Sequence, residues 1–145
     1  AGGPDRVILL DTNVVSAAMK PRAPTTVLAW IDRQPTTELY LSTITIAEIS
    51  FGLYNLPDGR RRRDLEQRFE QVVLEGFEGR VLSFELAAAH AYGEIMGRRK
   101  RSGRPMSPLD GQIAAIARVH RMSVATRNGR DFEECGLEIV DPFEE

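Results

Sequence analysis

The amino-acid order predicts an α/β domain built on a mainly parallel central sheet. Three observations carry that expectation. Short apolar runs alternate along the chain with longer stretches of helical periodicity. The first such run, Val7-Ile8-Leu9-Leu10, stops on a carboxylate, Asp11. Three further acids, Glu48, Asp110 and Asp131, stand at or beside the ends of other apolar segments. Open α/β sheets bind ligands in the crevice beyond the carboxyl ends of their strands, so this order can deliver four carboxylates to one cleft. Clustered carboxylates call for a cation, and a cation among acids suggests phosphodiester chemistry.

The elements follow in order. Residues 6–11 form the first strand. A first helix over 13–19 is broken by Lys20-Pro21-Arg22-Ala23-Pro24, and a second over 25–33 places Val27, Leu28 and Ile31 on one face. Glu38-Leu39-Tyr40-Leu41 reads as the second strand. Ser42-Thr43-Ile44-Thr45 supplies N-cap hydroxyls for a third helix, with Ile46, Ile49 and Leu53 at helical spacing and Glu48 in its first turns. Pro57-Asp58-Gly59 interrupts the chain, and residues 60–74 follow as one charged helix with Leu65, Phe69, Val72 and Val73 on its buried stripe. Arg80-Val81-Leu82 is the third strand, and an alanine-rich helix runs from Glu85 to about Arg101. After the loop Ser102-Gly103-Arg104-Pro105, Ser107-Pro108-Leu109-Asp110 opens another helix: Ser at the cap, Pro at the first position, an acid at the third. Residues 123–126 and 137–140 are the closing strands.

Composition bounds what such a fold can do. At 145 residues and 42% hydrophobic content the chain is one ordinary domain, of a size that buries roughly 68–70% of its unfolded surface. Nineteen basic and twenty-one acidic residues give a formal charge of −2, which excludes a broadly cationic nucleic-acid binder and leaves polyanion binding to local patches. Cys135 is the only cysteine; a disulfide framework and a multi-cysteine zinc site are excluded, and a reducing, cytoplasmic setting is expected. No apolar run approaches the roughly 20 residues that span a bilayer, so no membrane role is expected. Residues 1–5 lack the basic-then-apolar order of a signal peptide and read as an expression remnant or disordered start, leaving 6–145 as a single domain.

Each acid has a plain reading beside its chemical one. Asp11 can cap the helix that follows, although Asn13 is available for that role, and an acid ending a buried strand is costly unless paired. Thr45-x-x-Glu48 is itself a capping box. Ser107-x-x-Asp110 satisfies a helix start, where the dipole favours a carboxylate. Asp131 sits in Asn128-Gly129-Arg130-Asp131-Phe132, a turn in which Asp is common for backbone reasons. Rival chemistries lack their parts: there is no Gly-x-Ser-x-Gly elbow, no Gly-x-Gly-x-x-Gly and no phosphate loop. His90 and His120 lie in helical stretches, and Asn13 denies Asp11 the second acid that an aspartyl-phosphate enzyme would place two residues on.

Taken together, Val7-Ile8-Leu9-Leu10-Asp11-Thr12-Asn13, Leu41-Ser42-x-x-Thr45-x-x-Glu48, Asp110 at a late helix start, and Ala125-Thr126-Arg127-Asn128-x-x-Asp131-Phe132 resemble the PIN-domain family. Within it the chain is most similar to the VapC-type ribonuclease toxins of type II toxin–antitoxin pairs. The resemblance covers residues 6–143. It implies a PIN-like three-layer α/β/α sandwich with a mainly parallel sheet, whose acids bind Mg²⁺ (Mn²⁺ substituting) and direct RNA hydrolysis. Asp11, Glu48 and Asp110 match the family's first three acids. Some members place the fourth where Asn128 stands; others, reading Thr-Arg-Asn, supply it three positions later, here Asp131, with Asn128 then a neutral ligand or water-positioning group. A VapB-type antitoxin, with its tail in a groove near the acids, and a homodimer are implied as partners.

Physical reasoning adds roles to that set. Three or four converging carboxylates repel or take up protons, and a divalent ion removes the conflict. Asp11 and Asp110 are the most direct ligands, Glu48 a ligand or a base that orients water, and Thr12, Asn13 and Thr126 supporting groups. Arg60-Arg61-Arg62-Arg63, and Arg98-Arg99-Lys100-Arg101 with Arg104, are candidate RNA contacts whose plain reading is a solvated helix face or a surface for an acidic partner. Arg127, beside the acids, is the best single candidate. Trp30, Phe51, Leu53 and Tyr54 are candidates for the groove or for core packing. Two other functions stand as alternatives: a PIN-like module that binds RNA or protein without chemistry, which Asn128 favours, and a structure-specific DNA nuclease.

Overall fold

Ile8–Leu10 (β1), Leu39–Ser42 (β2), Val81–Leu82 (β3), Ser123–Ala125 (β4) and Ile139–Val140 (β5) form one sheet in the order β3-β2-β1-β4-β5, with every neighbouring pair parallel. The structure is a computed structural model that describes residues 7–144. Residues 1–5, read above as an expression remnant or disordered start, and Arg6, the expected start of the first strand, lie outside the described residues. Six α-helices flank the sheet among those residues: α1 (Thr12–Met19), α2 (Thr25–Arg33), α3 (Thr43–Tyr54), α4 (Arg60–Arg68), α5 (Leu86–Arg101) and α6 (Pro108–Val119). None is long and apolar enough to cross a membrane.

The layers follow from the alternation of side chains along a strand. Ile8 and Leu10 join a core with Val14 and Val15 of α1, Val27 and Trp30 of α2, and Ile49 and Leu53 of α3. Leu9 points the other way, into a core with Ala88 and Ile95 of α5, Ile113 and Ile116 of α6, and Val124. Both faces of β1 are thus covered, which is why its sequence is continuously apolar instead of alternating. The result is the expected three-layer sandwich with a parallel sheet.

Strand order places the cleft. From β1 the chain builds outward through β2 and β3, then crosses back to lay β4 and β5 on the other side. The order reverses between β1 and β4, and the crevice beyond the carboxyl ends at such a reversal is where open α/β sheets bind ligands. Asp11 follows β1 and Thr126 follows β4 directly, and the Asp11 N–H continues the ladder by donating to the Ala125 carbonyl at 2.9 Å. Gly111 lets α6 begin close against α5: a Cβ there would stand 2.5 Å from Met96 Sδ and 3.0 Å from Tyr92 Cε1. That close approach fixes the neighbouring Asp110.

One helix differs from expectation. Residues 60–74 are not one α-helix: α4 ends at Arg68 and a π-helical segment, Phe69–Glu75, follows. The wider turn keeps Phe69 and Val73 in the core while Val72 turns outward at 43% exposure. Gly76 closes it because a Cβ there would lie 2.3 Å from the Val72 carbonyl oxygen.

Candidate active site

Asp11 is held from three sides. It is the N-cap of α1, its Oδ1 accepting from the Thr12 N–H at 2.8 Å, so the capping role falls to Asp11 and not to Asn13. Its Oδ2 accepts from the Thr126 hydroxyl at 2.8 Å and from Asn13 Nδ2 at 3.2 Å. Asn13 instead ties α1 to the end of β4: its Nδ2 also donates to Thr126 Oγ1 and its Oδ1 accepts from the Arg127 N–H. Asp11 is only 5% exposed. Burial pushes its carboxyl up from 3.8 to about 6; the Thr126 and Thr12 hydrogen bonds pull it back, and the charges of Asp110 and Glu48 raise it further.

Glu48 lies in the second turn of α3, free of the capping duty read from the sequence. The cap is Ser42, whose hydroxyl accepts from the Thr45 N–H at 3.1 Å, because β2 ends at Ser42 and the helix begins at once. Glu48 Oε1 accepts from the Thr12 hydroxyl at 2.6 Å. With its one proton so placed, Thr12 Oγ1 is the acceptor in its 3.0 Å contact with Thr45 Oγ1, leaving Thr45 the donor. A chain of hydroxyls from the buried Thr45 through Thr12 therefore aims Glu48.

Asp110 occupies the third position of α6 behind the Ser107 cap, whose hydroxyl accepts from the Asp110 N–H at 3.2 Å, as the sequence predicts. Burial raises its carboxyl, hydrogen bonding of the Ser107 side chain to that carboxyl opposes this, Asp131 and Glu48 add to the rise, and Arg99 lowers it. Asp131 is exposed on the 3-10 turn Gly129–Phe132. Asn128, also exposed, gives its backbone N–H to Thr126 Oγ1 at 3.1 Å.

All four acids are thus coupled in pairs: Asp11 to Asp110 and Glu48, and Asp110 to Asp131 and Glu48. The pairing is electrostatic, since among the described residues no three His, Cys, Asp or Glu side chains are gathered tightly enough to hold an ion as they stand. An all-oxygen, net anionic set of this openness fits a hard divalent ion that keeps several of its waters.

The basic candidates divide. Arg99 turns inward, 4% exposed, and donates to the carbonyls of Arg104, Asp131 and Glu133 at 2.6, 3.0 and 2.9 Å; a guanidinium so occupied is no RNA contact. Arg98, Lys100 and Arg101 remain exposed. Arg127 lies at the site mouth with its guanidinium 4.0 Å over the Phe143 ring. In the other cluster Arg62 pairs with Asp58 and Glu66 and stacks on Tyr54. Arg60 and Arg61 line a groove of about 870 Å³ that opens beside Glu48 over Ile49 and Leu53. Trp30 and Leu53 are core residues, whereas Phe51 and Tyr54 are each 72% exposed.

Three residues act at the site in ways the sequence reading did not foresee. Thr45 was visible only as a cap, and Phe143 carried no signal. Arg99 had one: it shares the α5 face of Ala88 and Ile95, seven and four residues apart, which is the buried face.

Comparison with known proteins gives a consistent picture. The family model of the PIN domain matches residues 8–136. VapC ribonuclease Y4jK of Sinorhizobium fredii is 46% identical over 138 residues, covering 95% of this chain and 99% of that protein. Toxin FitB of Neisseria gonorrhoeae is 37% identical over 137 residues, 94% of this chain and 99% of that protein. The crystal structure of FitAcB from the same organism superposes with a TM-score of 0.89 over 96% of this chain and all of that one. DNA-bound VapBC from Salmonella typhimurium superposes at 0.75 with 29% identity, covering 94% and 98%.

Proposed function

The chain belongs to the PIN-domain family, and from that premise we propose that it is a metal-dependent endoribonuclease toxin, held inactive in the cytoplasm by a VapB-type antitoxin. The observation that carries the reading is Asp11: a carboxylate buried at the sheet's reversal point, raised to about 6 and coupled to Glu48 and Asp110. A scaffold without chemistry has no use for that electrostatic cost, which weighs against a bare binding module. The similarity to a VapC ribonuclease and to VapBC supports RNA as substrate and an antitoxin as partner.

Asp11 and Asp110 are the residues that would hold Mg²⁺ or Mn²⁺ most directly, with Asp131 completing the set. Bound there, the ion would supply Lewis acidity, lowering the pKa of a water, polarising the scissile phosphate and offsetting charge on the leaving oxygen. The chain's own residues do the rest. Thr126 and Asn13 fix the Asp11 carboxylate, and Thr12 locks Glu48 in one orientation, from which it can ligate or accept a proton from water. Arg127, steadied on Phe143, is placed to contact a phosphate of the substrate, and Arg98, Lys100 and Arg101 offer outer contacts. The groove beside Glu48 suits an antitoxin tail, and exposed Phe51 and Tyr54 suit a second copy of the chain in a homodimer.

Purified, partner-free protein incubated with labelled total RNA tests the reading. Discrete cuts with Mg²⁺ and Mn²⁺ that stop with EDTA are expected. RNA left intact with either ion, by a folded protein, contradicts it.

A further inference from the structure

The basic run that ends α5 hides a residue with a different task. Arg99 is a cation removed from water, and its guanidinium spends its hydrogen bonds on three main-chain carbonyls and approaches Cys135 Sγ at 3.9 Å, with no carboxylate among those partners. Burying a charge this way is expensive, and a methionine of similar length would remove that cost only by leaving the three carbonyls without their donor. What the charge secures is position. The carbonyls of Asp131 and Glu133 belong to the turn that presents Asp131, 32 and 34 residues along the chain. The carbonyl of Arg104 belongs to the loop that leads into Ser107 and Asp110. One planar fork therefore joins the two segments that carry the third and fourth acids, bonding Asp131 through its main chain and leaving that carboxylate uncommitted to Arg99. On the outside, Arg104 repeats the link with exposed ion pairs to Glu133 and Glu134, a weaker connection in water.

We infer that Arg99 is a positioning residue that holds the Asp131 turn against Asp110 and thereby sets the affinity of the acid site for its divalent ion. The inference rests on the metal-dependent reading above. It requires the fork and not merely the charge: a lysine places one compact ammonium where the guanidinium spans three acceptors. Partners that orient a metal's ligands are worth about 10–100-fold in metal affinity when removed.

The test is calorimetric titration of Mn²⁺ into wild type, Arg99→Met, Arg99→Lys, Asp131→Ala and the double variant Arg99→Met/Asp131→Ala, each checked for folding by circular dichroism. Arg99→Met should weaken Mn²⁺ by about 10–100-fold and Arg99→Lys by less. In the Asp131→Ala background the same change should have little further effect, a coupling that a purely structural role would not produce. The Mg²⁺ concentration for half-maximal RNA cleavage should rise with the loss of affinity while KM for RNA holds. If Arg99→Met does not fold, the cycle is run with Arg99→Lys and the same coupling is expected. Wild-type affinity in the folded Arg99 variants, or an undiminished loss in the Asp131→Ala background, overturns the inference. A wild type that binds no Mn²⁺ overturns the metal-site reading itself, and Asp131→Ala binding as well as wild type overturns the choice of fourth acid.

Discussion

Asp11 is simultaneously a helix cap, a buried charge and the centre of an anionic set, and these roles make opposite demands on stability. Its folded carboxyl sits at about 6, above the unfolded value of 3.8, so the folded chain binds the proton more tightly. Without metal, stability should therefore be lowest above pH 6 and should rise as pH falls from about 6 toward 4, by on the order of 2–3 kcal/mol for this group. Comparing chemical denaturation of wild type and Asp11→Asn across that range isolates the effect; a flat difference contradicts it. Asparagine keeps the cap, so the variant should fold well and yet cleave at least about 100-fold more slowly, since losing a direct ligand costs no less than losing a ligand's partner. Thr12→Val, which leaves Glu48 without its 2.6 Å donor, should slow cleavage about 10–100-fold with RNA affinity unchanged, as separate kcat and KM values will show. Asp131→Ala should be more harmful than Asn128→Ala, and the reverse ranking would make Asn128 the fourth ligand. These residues differ in how far sequence exposed them. Asp11 was legible because an acid ending an apolar run is costly and needs a reason, whereas the Arg99 contacts to the Asp131 and Glu133 carbonyls span more than 30 residues and leave no local pattern beyond the side chain's place on the buried face of α5.

At the scale of elements, local grammar predicted the start of α6 to the residue and that of α3 only to a choice among several hydroxyls. Ser107, Pro108 and Asp110 occupy their expected cap, first and third positions. At α3 three nearby hydroxyl residues, Ser42, Thr43 and Thr45, are competent caps, and the choice of Ser42 over Thr45 was made by where β2 stops pairing, which is a tertiary fact. That choice releases Glu48 from the helix start to face Thr12. The π-helical segment was likewise illegible, since its side-chain stripe looks α-helical until Val72 must be turned out and Phe69 and Val73 kept in. Ser107→Ala tests the link between a cap and the site: loss of the cap should cost about 1 kcal/mol of stability. It should also reduce cleavage, because the same hydrogen bond steadies Asp110. Unchanged cleavage in a destabilised variant would confine Ser107 to the helix.

Over the whole molecule, a formal charge of −2 is distributed so that acids converge in the cleft while Arg98, Lys100 and Arg101 stand exposed at the end of α5. RNA binding carried by such a patch should weaken with salt, and replacing those three together by alanine should flatten the dependence of log affinity on log salt by up to about two units. The same replacement at Arg99 belongs to a different experiment, because its charge never reaches solvent. The sheet order, with its reversal between β1 and β4, explains why motifs spread over 120 residues meet at one edge, which alternation of strands and helices alone made foreseeable. The most direct measurement of the central claim is thermal melting of wild type and Asp11→Asn at pH 7.5, with and without Mg²⁺. Ion-free Asp11→Asn should melt above ion-free wild type, and Mg²⁺ should raise the wild type alone. Equal stabilisation of both proteins by Mg²⁺, or none of the wild type, would contradict a cation site built on Asp11.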